Sequence, residues 1–344
     1  MQKGTNVRFG FSGAGHPHAR AWAQAAKDNG GEIFAIYDPS PAVAADIASQ
    51  VGGTVVDALQ DLKGYDLDAV IVDGRCDEVT ELAIGIAQLG LPILMEKPGG
   101  MTAAEMGRIA DAVEVAGVAS QMGYFLRNAK PVLETKDALA KGELGQISLV
   151  RCHAAMPHRA WDVMGAWFGD PTNITSIFQE DACHVVDIVV DLFGLPTSVA
   201  ALRTKGNFDP SVGEDAIASI WDYGTHLAVV DFTAREANPW IDTWSLEIYG
   251  TTGTIRAGFS AEWLERYTKD SGWVESGEPR LSGPSDGFAR NTSTREHYRI
   301  EMEGLVNAIR SGGGTSAPAR HGYRVFQMVE AIAAAADTGR KVEL

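Results

Sequence analysis

FSGAGHPHARAW, residues 11–22, is the stretch that decides the fold of the first part of the chain. It follows the strand-like segment VRFGFS and runs into a helical pattern that ends at Gly30. Gly13 and Gly15 are the first two glycines of the G-x-G-x-x-G pattern that marks a dinucleotide-binding turn. A glycine pair alone is equally typical of an ordinary tight turn. Because a diphosphate can sit on the free N–H groups where such a helix begins, this strand–turn–helix context predicts a nucleotide site.

An acidic residue, Asp38, ends the second predicted strand, EIFAIYD. A carboxylate at this position can accept hydrogen bonds from both ribose hydroxyls of NAD, and it repels the 2′-phosphate of NADP. The next residues, Pro39 and Ser40, include no lysine or arginine that would bind that phosphate. The sequence therefore predicts NAD, rather than NADP, as the cofactor.

Two histidines and a proline make the turn unusual, since His18 stands where the third glycine is expected. That glycine normally lets the helix and the strand pack closely, so His18 must point outward or push the helix away. Pro17 is well tolerated in the first turn of a helix. His16, Pro17 and His18 are part of the predicted cofactor turn. We favour packing and helix capping for the two histidines, and the alternative is that one of them faces the active-site cleft.

Strand and helix patterns alternate up to about Gly123, a rhythm typical of a parallel sheet with helices on both faces. Beyond it the strands are longer, and the Tyr223-Gly224 and Thr252-Gly253 turns predict antiparallel hairpins. We therefore expect an α/β domain followed by an α+β domain with an open, mostly antiparallel sheet that favours self-association. We also expect helices and a loop in the second part: helices over 180–193, 296–310 and 323–338, and the loop over 268–291.

Charge and composition exclude several classes of partner. The chain has 344 residues, 45% hydrophobic and 22% charged, and a net charge of −16, which is a globular composition that repels nucleic acid and anionic membranes. The apolar run VVDIVVDLFG is interrupted by Asp187 and Asp191, so no segment is expected to span a membrane. Three cysteines without a C-x-x-C pair, and no apolar leader after MQKGTN, predict a reducing, cytoplasmic location.

A second motif, MEKPGGMTAAE, places Glu96 and Lys97 where a predicted strand ends. The carboxyl ends of parallel strands line the ligand crevice of an open α/β sheet. Together with the glycine turn, this E-K-P stretch resembles the signature of the Gfo/Idh/MocA oxidoreductase family. The resemblance covers nearly the whole chain, and it extends to TELAIGIAQLGLPILMEKP, KGELGQISLVR, ACHVVDIVVDLFGLPTSV, LEIYGTTGTIRAG and GRKVEL.

The resemblance implies a Rossmann domain over residues 1–124 and a substrate-binding and oligomerisation domain over 125–344. It implies reversible oxidation of a secondary hydroxyl of a sugar, cyclitol or related polyol by NAD or NADP, in a homodimer or homotetramer. Two alternatives stay open. One is an NAD-dependent enzyme that cleaves glycosides through transient oxidation, and the other is a ligand sensor without catalysis.

Alcohol oxidation needs a proton acceptor, and His184 is the best candidate. Glu180, His184 and Asp187 are spaced i, i+4 and i+7, so one helix would place all three on one face. We predict Glu180, His184 and Lys97 as catalytic, with Lys97 stabilising negative charge on the reacting oxygen or relaying the proton. The alternatives are a structural capping cluster and a metal site. Hydride transfer to nicotinamide needs no metal, and we predict none.

The chain departs from the family pattern in two places. Glu180 and Ala182 stand where the family usually has aspartate and glycine. Asp73, Gly74 and Arg75 replace the usual T-P loop near the nicotinamide end of the cofactor. We include these three residues, with Glu96 and Lys97, in the cofactor site. Arg75 either contacts an acidic substrate or, as we favour, pairs with a neighbouring carboxylate.

Several further polar residues are candidates for substrate binding. Arg127 and Asn128 follow MGYFL, where the family often places substrate contacts, and Asp187 holds the aspartate position of the family's helix motif. His158 and Trp161 lie in a segment that would suit the rim of a carbohydrate site, which combines aromatic faces with polar groups. Trp161 could equally pack under its loop.

Overall fold

The computed structural model describes residues 6–157, 164–206, 213–237, 244–259, 262–277 and 292–344. The chain divides into two compact units. The first unit comprises Met1–Tyr124, Thr172–Ile174 and Arg295–Phe326. The second unit comprises Phe125–Pro171, Thr175–Thr294 and Gln327–Leu344.

Six parallel strands form the sheet of the first unit across its described residues, in the order β3-β2-β1-β4-β5-β6. They are β1 (Val7–Ser12), β2 (Gly31–Tyr37), β3 (Thr54–Val55), β4 (Ala69–Val72), β5 (Ile93–Met95) and β6 (Ser120–Met122). Phe9, Phe11 and Ile71 are 0% exposed, as expected of a parallel sheet covered on both faces. The order reverses between β1 and β4, which is the Rossmann topology and the place where such sheets bind ligands. The predicted α/β Rossmann fold is confirmed.

The helices of this part of the chain are α1 (Ala19–Asp28), α2 (Pro41–Val51), α3 (Cys76–Gln88) and α4 (Ala103–Ala116), with a 3-10 helix at Leu59–Tyr65. The bounds of α4 follow from its end residues. At its start, the Thr102 side chain accepts a hydrogen bond from the Glu105 N–H (3.2 Å), and the Glu105 carboxylate accepts one from the Thr102 N–H (3.1 Å). At its end, Gly117 adopts the left-handed conformation (φ 64°) that terminates the helix. Parallel strands bring their carboxyl ends to one side of the sheet, here called the carboxyl edge, where α1 and α3 begin.

Nine strands form one sheet in the described residues of the second unit, in the order β14-β13-β12-β11-β7-β10-β9-β8-β15. They are β7 (Ile147–Pro157), β8 (Ser198–Thr204), β9 (Ala216–Asp222), β10 (Leu227–Glu236), β11 (Ser245–Gly250), β12 (Gly253–Gly258), β13 (Trp263–Thr268), β14 (Gly272–Gly277) and β15 (Val342–Glu343). Every pairing is antiparallel except that between β7 and β10, so the predicted mostly antiparallel sheet is confirmed. The predicted hairpins are also confirmed, β9–β10 and β11–β12.

The remaining helices are α5 (Lys130–Ala140), α6 (Ile177–Glu180), α7 (Cys183–Phe193), α8 (Thr292–Ser311) and α9 (Ala319–Thr338), with a 3-10 helix at Phe125–Asn128. Two predictions were wrong. The expected helix over 180–193 is interrupted at Asp181 and Ala182, and the expected loop over 268–291 contains β14, which pairs with β13. Across the described ranges, no helix combines the length and the apolar character needed to cross a bilayer.

Candidate active site

The turn after β1 requires a glycine at its first position. Gly13 has φ 77°, and a Cβ atom there would lie 2.8 Å from the Cα atom of Gly74. The Gly13 N–H donates to the carbonyl of Tyr37 (2.8 Å), which ties the turn to the end of β2. Both the left-handed backbone and the close approach of the two glycines exclude a larger residue.

The second glycine of the turn has no such neighbour. A Cβ atom on Gly15 would lie 3.5 Å from Cγ of Arg75, an ordinary van der Waals distance. The residues that the structure describes therefore leave room for a side chain at Gly15. In dinucleotide-binding turns the second glycine lets the backbone approach the diphosphate, and the open space at Gly15 fits that use.

Asp38 lies beside the turn and is 7% exposed. One carboxylate oxygen accepts a hydrogen bond from the Ala14 N–H (2.8 Å), and the other accepts one from the Ser40 N–H (2.8 Å). These bonds fix an acidic group at the end of β2, next to the turn, where the ribose of a dinucleotide would be recognised.

The two histidines of the turn have different contacts. The backbone N–H of His16 donates to the Asp73 carbonyl (3.0 Å), and its Nδ1 accepts from the His18 N–H (3.2 Å) immediately before α1 begins. The His18 ring packs edge-on against His16 and against Tyr298, at 4.5 and 5.7 Å between ring centroids. Its Nδ1 lies 3.3 Å from Oε1 of Glu96, and Pro17 between the two histidines is exposed.

Glu96 and Lys97 follow β5 and are 2% and 3% exposed. Nε1 of Trp22 donates to Oε2 of Glu96 in a short hydrogen bond. Burial alone would raise the pKa of Glu96, but the charge of His18 and its hydrogen bond, with His16 and Lys97, lower that pKa to about 2. Glu96 is therefore an ionised carboxylate beside the lysine that the sequence predicts as catalytic.

Asp73, at the end of β4, is 0% exposed, and neither carboxyl oxygen makes a hydrogen bond to the described residues. Its nearest ionisable contact is Nδ1 of His16, 3.7 Å from Oδ1. Burial, and then the charge of Glu96, raise the pKa of Asp73 well above its usual range. A buried polar group without a partner is rare, and at the carboxyl edge it indicates a ligand site.

The other two residues of that loop are less exceptional. Gly74 packs against Gly13, as described above. Arg75 binds Asp77 (Nε to Oδ1, 3.0 Å) and Glu78 (Nη2 to Oε1, 2.6 Å).

In the second unit, the break before α7 is a tightened turn. The His184 and Val185 N–H groups donate to carbonyls three residues back, and Sγ of Cys183 donates to the carbonyl of Glu180 (3.2 Å). Glu180 and His184 are nevertheless both buried, at 1% and 2% exposed. The imidazole of His184 lies between two aromatic rings, 4.7 Å from Phe125 and 6.2 Å from Trp244 by ring centroids.

Arg127 and Asp187 come together in a buried bidentate pair. Nε of Arg127 donates to Oδ2 of Asp187 (3.1 Å), Nη2 donates to Oδ1, and the residues are 4% and 0% exposed. Nη1 of Arg127 also lies 3.5 Å from Asp191, which in turn binds Lys136 (2.7 Å) near the surface. The 3-10 helix at Phe125–Asn128 therefore makes two contacts in the second unit: Phe125 packs against His184, and Arg127 binds Asp187. Asn128, the last residue of this helix, is 8% exposed.

Sequence reasoning missed the aromatic residues around these groups. Trp22 stands four positions after His18, and both side chains contact Glu96, a partner that this spacing does not indicate. No signal in the sequence marked Tyr298, Phe125 or Trp244 either. His158 and Trp161 lie outside the described residues.

A Rossmann sheet with a glycine turn after β1 and an acid after β2 defines the class of dinucleotide-binding proteins. Two family models agree with this class. The model for the oxidoreductase family with an NAD-binding Rossmann fold matches residues 7–124, and the model for its C-terminal alpha/beta domain matches residues 136–344. The chain belongs to the Gfo/Idh/MocA oxidoreductase family.

Similar proteins span the full length of the chain. The rhizopine catabolism protein MocA of Rhizobium meliloti is 28% identical over 95% of this chain and 94% of its own. The D-apiose dehydrogenase of Paraburkholderia graminis is 26% identical over 99% of this chain and 89% of its own. A solved structure of an Agrobacterium radiobacter oxidoreductase, in complex with NAD+, L-tartaric acid and magnesium, has a TM-score of 0.85 at 21% identity and covers 98% of both chains.

Proposed function

We propose that this oxidoreductase is an NAD-dependent dehydrogenase that reversibly oxidises a secondary hydroxyl of a sugar, cyclitol or related polyol. The observation that carries the proposal is the carboxyl edge of the first unit, where the buried carboxyl of Asp73 makes no hydrogen bond to the described residues and lies near the ionised Glu96. The D-apiose dehydrogenase among its relatives supports the substrate class.

In this proposal the turn from Gly13 to His18, with Asp38, holds the dinucleotide, and Asp73–Arg75, Glu96 and Lys97 lie at its nicotinamide end. When bound, NAD supplies the hydride acceptor. The carboxylate of Asp38 favours NAD because it would repel a 2′-phosphate. The open space at Gly15 supports the same placement.

The proton chemistry is assigned to two buried residues. We propose that His184 takes the proton of the reacting hydroxyl and that Lys97 donates a hydrogen bond to its oxygen, which stabilises the developing negative charge. Glu180 is proposed to assist His184. Asn128, and the rim residues His158 and Trp161, are proposed to bind the substrate. Arg127 and Asp187 neutralise each other, so we propose that this pair serves the substrate site by holding α7 in place.

Residues 1–124 are proposed as the NAD-binding domain and 125–344 as the substrate-binding and oligomerisation domain. Strand pairing places Leu202, Ile220 and Leu227 on one face of the second unit's sheet, where they are 74%, 50% and 44% exposed. An exposed apolar face of this kind favours association, so we propose a homodimer or homotetramer built on it. The three cysteines are buried thiols, which supports a reducing, cytoplasmic compartment.

The test is binding followed by turnover with the purified full chain. NAD and NADP are titrated separately, and sugars, cyclitols and sugar acids are then screened for formation of reduced nicotinamide. We expect tighter binding of NAD and turnover with at least one polyol. Lys97→Ala and His184→Ala should each lower kcat/KM by ~10²–10⁴-fold, the range for loss of a general acid or base. Lys27→Ala and His226→Gln are matched controls and should retain the kcat/KM of the wild type.

Each remaining outcome removes one part of the proposal. Tight NAD binding without net reduction by any alcohol would favour the glycoside-cleaving alternative. Binding of neither nucleotide would refute the cofactor site. Full activity in both Lys97→Ala and His184→Ala would refute the assignment of the proton chemistry.

A further inference from the structure

Three side chains at the carboxyl edge bring metal-binding atoms together. His16 and His18 come from the turn after β1, and Glu96 follows β5. One ligand atom from each residue lies within 4.8 Å of the other two. His16 and Glu96 are buried, at 3% and 2% exposed, and the side chain of His18 is 25% exposed. The cluster is thus built into the protein and has one side within reach of solvent.

The chemistry of these donors selects a class of metal. Two imidazoles and one carboxylate form the His₂Glu set that binds Zn²⁺ in open, three-ligand sites. Mg²⁺ and Ca²⁺ prefer oxygen ligands and would leave the imidazoles unused.

The surroundings resemble the outer shell of a metal site. Trp22 donates a hydrogen bond from Nε1 to Oε2 of Glu96, which orients that carboxylate. Tyr298 packs edge-on against both His18 and Trp22, at 5.7 and 4.5 Å between centroids. Oδ1 of Asp73 lies 3.7 Å from Nδ1 of His16.

We propose that His16, His18 and Glu96 form a binding site for a divalent transition-metal ion, with Zn²⁺ the best match. The ion would tie the turn after β1 to the end of β5, and three protein ligands leave a position for water or another oxygen ligand. A role as a metal ligand would explain why His18 stands where a dinucleotide-binding turn has its third glycine. This proposal departs from our prediction that the chain holds no metal, in which Glu180, His184 and Asp187 were the ligands considered. It does not depend on the proposed dehydrogenase activity.

The test uses the full chain after treatment with a chelator, titrated with Zn²⁺ alone by calorimetry. One ion should bind per chain. Co²⁺ should give the intense visible absorption of a four- or five-coordinate site, and Zn²⁺ should displace it. His18→Gly, which restores the third glycine, and His16→Gln should each weaken binding by more than ~100-fold. Trp22→Phe acts on an outer partner and should weaken it by ~10–100-fold.

The matched control is His153→Gln, which removes a histidine bound to Asp231 (2.6 Å) on the sheet of the second unit. It should bind Zn²⁺ as the wild type does. The proposal is overturned if the wild type shows neither saturable Zn²⁺ binding nor the Co²⁺ spectrum, or if His18→Gly binds Zn²⁺ as tightly as His153→Gln. The wild-type measurements need no variant, so a poorly folding variant leaves the test intact. Neither NAD nor an alcohol is present, so failure here is distinct from failure of the dehydrogenase proposal.

Discussion

Arg127 and Asp187 of the second unit are almost fully buried, and each neutralises the other through two hydrogen bonds. Asp73 of the first unit is buried as deeply, but neither of its oxygens makes a hydrogen bond to the described residues. One buried carboxylate is therefore charged and held by a fixed partner. The other has a raised pKa and lies beside a turn that leaves room for a ligand.

The difference is consistent with the roles proposed above, a positioning role for the Arg127–Asp187 pair and a place in the cofactor site for Asp73. In a buried ion pair each charge already has a partner inside the protein, so the loss of one partner is expected to lower stability. A buried acid without a partner lowers stability, which is typical of positions kept for binding or catalysis. The expected change in stability on substitution therefore differs in sign between Asp73 and the Arg127–Asp187 pair.

The largest effect is expected in the second unit. Arg127→Met should lower the free energy of unfolding by ~3–5 kcal/mol, because it leaves the charge of Asp187 buried without its partner. Lys136→Met, which removes the partly exposed partner of Asp191, is the matched control and should cost no more than ~1 kcal/mol. Urea unfolding of both variants measures the difference.

The double variant Arg127→Met/Asp187→Leu sharpens this prediction. Removing both charges should recover much of the lost stability, since well-packed apolar groups often replace a buried pair without loss. A double variant no more stable than Arg127→Met alone, or an Arg127→Met variant as stable as Lys136→Met, would contradict a structural role for the pair.

The next effect concerns the turn of the first unit. Gly13→Ala should lower the unfolding free energy by at least ~1–3 kcal/mol, from the strained backbone and the overlap of its Cβ with Gly74 at 2.8 Å. Gly90→Ala is the control, because Gly90 has a similar φ (75° against 77°) and none of the described residues would lie within 4 Å of its added Cβ. The variant at Gly13 should be the less stable in thermal unfolding, and equal losses would mean that the approach to Gly74 has no cost.

Local sequence patterns were sufficient to predict the fold class and most of the residues at the carboxyl edge of the first unit's sheet. Alternating strand and helix signals give the parallel sheet, and the order of a Rossmann sheet then places Asp38 and Lys97 at strand ends. The break before α7 could not be predicted, since no glycine or proline stands between Ile177 and Phe193 to mark it. The strand β14 was missed because its composition is that of a loop.

Contacts between distant residues were beyond reach of the sequence. The pairing of Arg127 with Asp187 joins residues 60 positions apart, and that of Trp22 with Glu96 joins residues 74 apart. Periodicity and spacing describe one element at a time, whereas these contacts depend on how the elements pack. The missing hydrogen bonds of Asp73 are likewise a property of its whole surroundings.

A gain in stability is expected at Asp73. Asp73→Asn should raise the unfolding free energy at neutral pH, because burial and the charge of Glu96 oppose a charged carboxylate in the folded protein. Folding raises the pKa of Asp73, so the folded protein holds this proton more tightly than the unfolded chain. The stability from this group is present below the ordinary value of 3.8 and is lost as pH rises through the raised pKa.

Denaturant unfolding of the wild type and Asp73→Asn at several pH values tests the sign. The advantage of the variant should grow as pH increases and should disappear toward acid. Asp187→Asn is the counterpart in the other region, and it should destabilise at neutral pH because Asp187 is held as a charge by Arg127. Destabilisation by Asp73→Asn at neutral pH would mean that Asp73 is satisfied in the folded chain and would remove its contrast with Asp187.

The smallest change in stability is expected for Gly15→Ala. The backbone at Gly15 lies outside the left-handed region and its Cβ would meet nothing closer than 3.5 Å, so the unfolding free energy should change by less than ~1 kcal/mol, in the stabilising direction. NAD affinity should nevertheless fall, because the methyl group occupies the space through which the backbone would approach the diphosphate. Thermal unfolding without nucleotide and titration with NAD separate the two effects, and Gly90→Ala should keep the NAD affinity of the wild type. Unchanged NAD affinity in Gly15→Ala would mean that the space at Gly15 is not where the diphosphate binds.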